Sequence, residues 1–148
     1  MENIIWESTH GEVELHQIVK VEKALGIKFP KDYVECAKTN NGGYPSKEAF
    51  DFDAREEGFN RLLSLHDDKK NYIVSVFNGI KDRLVDGVYP FADDPFGNHL
   101  CFDYRGNNEK PVIVFWDHEV AFMNHEGAIF KICDTFTELL EKLYDCSL

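Results

Sequence analysis

Hydrophobic positions change their spacing along this chain. Through about the first eighty residues they fall mostly three or four apart, and beyond that they come in short continuous runs. The spacing predicts a first helix beginning near Thr9–Glu12, a T-x-x-E capping pattern, with Leu15, Ile18, Val19 and Leu25 near one face and Gly26 as its stop. Pro30 fixes the entry to a second helix over residues 31–39, with Tyr33, Val34 and Ala37 inward. The run "NNGG" at 40–43 ends it, because Asn and Gly enter the left-handed conformation at little cost. Between residues 44 and 66, "AFDF" and "FNRLLSL" read as short strands around a polar turn, "DAREEG". A third helix is predicted over 68–78, where Ile73, Val76, Phe77 and Ile80 follow the 0, 3, 4, 7 template, and Gly79 weakens its last turn.

The second half reads as strands. "GVYPFA", "HLCFDY", "PVIVFWD" and "VAFMN" are short, rich in β-branched or aromatic residues, and separated by "DDPFGN", "RGNNEK" and "HE". Connections this short favour antiparallel hairpins. "EGAIFKI" is either one more extended piece or a lead into the last helix. That helix opens on Thr135 and Glu138, a second T-x-x-E pattern, and continues with Phe136, Leu139, Leu140, Leu143 and Tyr144. Helices first, strands later and a closing helix give an α+β domain: a mostly antiparallel sheet with helices packed against it, in a single unit over residues 1–148.

Composition narrows the function. The chain has 148 residues, 43% hydrophobic and 14% aromatic, enough for a core without staples. Its 16 basic and 27 acidic residues leave a net charge of -11. Such a surface repels nucleic acid and anionic membrane, and suits a basic partner or simply solubility. Cys36, Cys101, Cys133 and Cys146 show no C-x-x-C spacing, and the first three have the apolar neighbours of buried thiols. The N-terminal "MENIIWESTH" lacks the basic and apolar regions of a secretory signal, and the longest apolar run, 112–116, is far short of a membrane span. The expected location is the cytoplasm.

The densest polar chemistry lies in "YPFADDPFGNHLCFDY", residues 89–104. Asp93, Asp94 and Asp103 could offer oxygens to a hard cation, but the stretch lacks the alternating acids and final Glu of a calcium loop. Asp94, Pro95, Gly97 and Asn98 are the residues a strand-to-strand turn prefers, so the turn is the better reading and no metal is expected. His118-Glu119 and His125-Glu126 do not form H-E-x-x-H, and neither a nucleophile elbow nor a phosphate loop is present. The acids also have an interaction reading. Asp51, Asp53, Glu56 and Glu57 crowd one predicted loop, and Asp93, Asp94, Asp117 and Glu119 lie at predicted strand ends. Aromatic anchors within a charged rim are a common interface composition. Among the interleaved aromatics, Tyr89 and Trp116 read as core, while Phe96, inside a polar turn, is the one expected at the surface.

The order of these features resembles the SUKH superfamily, which is related to the fungal cell-wall-assembly regulator. Leu25-Gly26, Phe29-Pro30, Tyr33 and Asn41-Gly42-Gly43 look like the family's opening, and Phe91-Ala92, Asp94, Gly97-Asn98 and Asp103 resemble its central strand pair. "PVIVFWDHE" is similar to the next strand and "DTFTELLEKL" to the closing helix, so the resemblance runs from about Leu15 to Leu143. It implies an α+β fold and no shared enzymatic mechanism. Bacterial members are typically immunity proteins that bind and neutralise a cognate polymorphic toxin, often a nuclease, and this short chain looks more like that type than like the fungal scaffolds. The resemblance thus implies a basic toxin as partner, no cofactor, and an interface drawn from Asp51, Asp53, Glu56, Glu57, Asp93, Asp94, Phe96, Asp117 and Glu119. A regulatory adaptor without a toxin is the alternative, and a metal-assisted hydrolase using Asp93, Asp94, Asp103 and a His comes third.

Overall fold

Residue alternation on the central strands sets the architecture. In the computed structural model, which describes residues 4–146, a five-stranded antiparallel sheet is built from β5 (Arg61–Leu62), β6 (Val88–Asp93), β7 (His99–Asp103), β8 (Val112–Trp116) and β9 (Ile129–Cys133), in that spatial order. Leu100 and Phe102 of β7, with Ile113 and Phe115 of β8, face the main core, whereas Cys101, Val114 and Trp116 face a smaller second core. Both faces are covered, which is why these strands are nearly continuous apolar runs rather than alternating ones.

The main core is closed by α1 (Leu15–Leu25), α2 (Lys31–Asn40) and α5 (Phe136–Lys142). Tyr33 of α2 is fully buried among Phe29, Phe91, Phe102 and Phe136, with ring centroids 4.9–6.0 Å away. The second core is closed by the loop around Leu84, by a short α4 (His118–Ala121) and by Ala128. Ile73 of α3 (Ile73–Ile80) enters the main core, while Ile80 packs on the second. Two small ribbons complete the fold: β1 (Trp6–Glu7) with β2 (Tyr44–Pro45), and the hairpin β3 (Ala49–Phe52) with β4 (Arg55–Gly58).

Several predicted elements are shifted. The first helix starts at Leu15, because Gly11 has φ 83° and Thr9 Oγ1 accepts from Gly11 N–H instead of capping a helix. Leu15 is 71% exposed, and Val21 joins Ile18 and Leu25 on the buried stripe. Gly26 ends this helix as expected, at φ 76° with its N–H donated to Glu22 O. The third helix starts five residues late because Ser64 takes the segment before it into β-type pairing: Ser64 N–H donates to Asn71 O and Ile73 N–H to Ser64 O. "DAREEG" is no open turn, since its last four residues are β4, and "FNRLLSL" contributes only Arg61–Leu62 as strand. "VAFMN" is not a strand. Asp117 accepts the N–H groups of Glu119 and Val120, which turns the chain into α4. Tyr144 lies beyond the last helix, where its backbone pairs with Ala49. "EGAIFKI" supplies β9, the extended alternative.

Candidate interaction surface

The β3–β4 hairpin places its acids by simple alternation. Its turn is Asp53-Ala54, both with positive φ (46° and 60°), the conformation that a two-residue hairpin with right-handed strands requires. Phe50 and Phe52 therefore point into the core, and Asp51 points out, directly opposite Glu56 in the register. Like charges in opposed positions repel. The Tyr144 hydroxyl lies between them, 2.7 Å from Asp51 Oδ1 and 2.6 Å from Glu56 Oε2, and donates its single proton to one of the two at a time. Hydrogen bonding to Glu56 and then Asp51 holds that proton and pushes the phenol well above its ordinary range.

Arg55 organises the other side of the hairpin. Its guanidinium lies 5.0–5.4 Å from the ring centres of Phe52, Phe115 and Phe130, and its Nη2 reaches Glu57 at 2.7 Å and Asp117 at 3.4 Å. Glu57 and Asp117 thereby share one cation, which offsets one of their two charges, and Asp117 also caps α4. This contact ties the hairpin to the end of β8.

The β6–β7 connection completes the surface. Asp94 is only 4% exposed; its Oδ1 accepts from the N–H of Phe96 and of Asn98, and its Oδ2 from the Asn98 amide, all at 2.8 Å. Asn98 Oδ1 then accepts from the backbone N–H of His118 at 2.9 Å and from its Nδ1 at 2.7 Å, so Nδ1 carries the ring proton. Asp93 accepts from the Asn60 amide and from Arg61 N–H, and burial raises its carboxyl above the usual range. Asp94 thus serves the loop itself, as the turn reading of Asp94 and Asn98 expects, whereas Asp93 ties the end of β6 to β5. Phe96 is 72% exposed at the tip, and Tyr89 and Trp116 pack in the cores. The loop lies beside the hairpin: a Cβ on Gly58 would stand 3.5 Å from Pro95.

The nine sequence-predicted site residues fall into three groups. Asp51, Asp53, Glu56, Glu119 and Phe96 are exposed; Glu57 and Asp117 are paired with Arg55; Asp93 and Asp94 are engaged in internal hydrogen bonds, the first to β5 and the second within the β6–β7 loop. Asp103 does not join the other two aspartates. It is at the opposite end of β7, 2.9 Å from Arg105, so the three carboxylates proposed for a hydrolase do not converge. Among the described residues, no group of three or more His, Cys, Asp or Glu is placed to hold a metal ion. Sequence reasoning missed Arg55 and Tyr144. The lone Arg within an acidic run was a usable signal for the first, whereas the helical spacing of Tyr144 concealed the second.

A half-buried histidine lies beneath this surface. His99 packs on Trp116, its Nδ1 has no hydrogen-bond partner, and burial lowers its pKa to about 4, with His118 and Arg83 pushing the same way against Asp94. No described helix is long and apolar enough to cross a membrane.

The family model described as SMI1-KNR4 cell-wall, SUKH_6, matches residues 15–140, from the first residue of α1 into α5. No curated protein matches the chain.

Proposed function

We propose that this chain, which belongs to the SUKH superfamily, is an immunity protein that neutralises a cognate basic toxin, a nuclease by class, by binding it in the cytoplasm without catalysis of its own. The observation that carries the reading is the outer face of the β3–β4 hairpin. Asp51 and Glu56 stand side by side with a neutral phenol as their shared partner, and Asp53 is exposed at the turn. Cross-strand repulsion there is a standing cost to the free protein, and a cationic partner removes it on docking. Arg55 offsets one of the two charges on Glu57 and Asp117, whereas the phenol shared by Asp51 and Glu56 is neutral, so more of the charge left to a partner lies on the outer acids. Nucleases present Lys and Arg to their polyanionic substrate, which makes their clefts complementary to such a face. An inhibitor of this type need only cover that cleft.

The test is a pull-down from native lysate at low salt, with identification of what elutes. A single basic toxin domain, released by moderate salt and lost on Asp51→Lys/Glu56→Lys, is expected. A regulatory host protein as the only salt-sensitive partner would instead favour the adaptor reading.

A further inference from the structure

Three of the large apolar side chains that the fold leaves at its surface belong to one end of the sheet. Phe96 is at the tip of the β6–β7 loop, and Phe122 (70% exposed) and Met123 (90%) follow α4. Phe96 and Phe122 are linked through intervening residues, and Met123 follows Phe122 in the chain. The His118 ring lies 3.3–3.4 Å from where a Cβ on Gly97 would stand, next to Phe96. Arg83 donates to His118 O at 3.4 Å, and its guanidinium lies 4.6 Å from the Phe122 ring centre and 5.1 Å from that of buried Trp116. The Phe122 ring is thus packed on one side by Arg83, and most of Phe96, Phe122 and Met123 is left in water. Aromatic, Met and Arg side chains with exposed ends are the composition of interface centres.

The surroundings say what kind of partner fits. Glu119 is one helical turn before Phe122, and exposed Asp82 lies between Lys81 and Arg83, so the immediate margin is mixed in charge and the acidic excess comes from the neighbouring hairpin. On its other side the patch meets the hairpin, through Pro95 beside Gly58 and through Arg55 bound to Asp117. The acidic hairpin and the apolar patch are therefore neighbours around one end of the sheet.

We infer that Phe96, Phe122 and Met123 form the apolar anchor of the toxin interface, seated in a hydrophobic cleft whose margins carry Lys or Arg. The inference rests on the immunity reading above. The hairpin acids govern how fast the partner arrives, and the anchor governs how long it stays.

The test is photo-cross-linking in the cells that make the protein. A photo-reactive phenylalanine analogue replaces Phe96, Phe122, Asp53 or, as control, Leu15, an equally exposed apolar residue on α1, which packs on the opposite core. Positions 96, 122 and 53 are expected to capture the same basic protein, with a yield about tenfold above position 15, and Phe122→Ala to speed its dissociation about tenfold with little change in association. Capture from position 53 alone, or equal capture from position 15, overturns the anchor and leaves the immunity reading standing. Capture of a non-basic protein, or of none from any position, overturns both.

Discussion

At the scale of single residues, the informative side chains are the buried polar ones. Asp94 is a carboxylate inside the protein that accepts three hydrogen bonds from two neighbouring residues. Its role is to hold the loop that carries Phe96 and, through Asn98, to position His118. Asp94→Ala leaves those N–H groups without their acceptor and is expected to cost about 3 kcal/mol in denaturant unfolding. A change below about 0.5 kcal/mol would mean that the loop does not depend on it. Tyr33 is the opposite case: its hydroxyl is buried with no partner among the described residues. Tyr33→Phe removes a desolvated group and keeps the ring packing, so stability should rise by up to about 1 kcal/mol. A clear loss would reveal a partner for that hydroxyl.

At the scale of elements, the β3–β4 hairpin stores the most local strain. Ala54 has φ 60°, a conformation that costs an L-residue about 1 kcal/mol and glycine almost nothing. Ala54→Gly is expected to stabilise the protein by about that amount, read as a higher denaturation midpoint at unchanged slope. Thr135 caps α5 by accepting Glu138 N–H at 3.1 Å, and Thr135→Ala should cost about 1 kcal/mol. How legible an element was depended on whether its signal was local. The closing helix, its cap and the three central strands could be read because the capping pattern and apolar runs lie within each element. The start of the third helix could not, because the bonds between Ser64 and Asn71–Ile73 are tertiary. Nor could α4: a β-branched, aromatic run reads as strand until the carboxylate of Asp117 captures its first N–H groups. The acids of the candidate site were visible as residue types. Their division into exposed, Arg55-paired and internally bonded sets was not, because it depends on which acids meet Arg55, Tyr144, Asn60 and Asn98 in the fold.

At the scale of the whole molecule, charge and pH meet in one place. His99 is held neutral in the folded protein, and the unfolded chain regains the ordinary value of 6.5. Its folded-state pKa is depressed, so the unfolded state binds the additional proton as pH falls. Stability should therefore decline from about pH 6.5 down to about pH 4, by roughly 3 kcal/mol from this group. Asp93, whose carboxyl is raised by burial, acts in the opposite sense, so the comparison is between the protein and His99→Phe, which should lack the histidine component of the slope. Identical slopes would show that His99 is not the group responsible. The net charge of -11 has a second consequence. Association with a basic partner should slow steeply with salt, because the Debye length is only about 10 Å at 0.1 M.

Protection through the acidic hairpin can be read from growth of cells co-expressing this SUKH chain with the toxin that its pull-down identifies, comparing the native protein with Asp51→Lys/Asp53→Lys/Glu56→Lys. Full protection by the native chain is expected, and its loss in a variant that still folds. Equal protection by both would contradict the hairpin as the binding face, and no protection by either would contradict immunity itself.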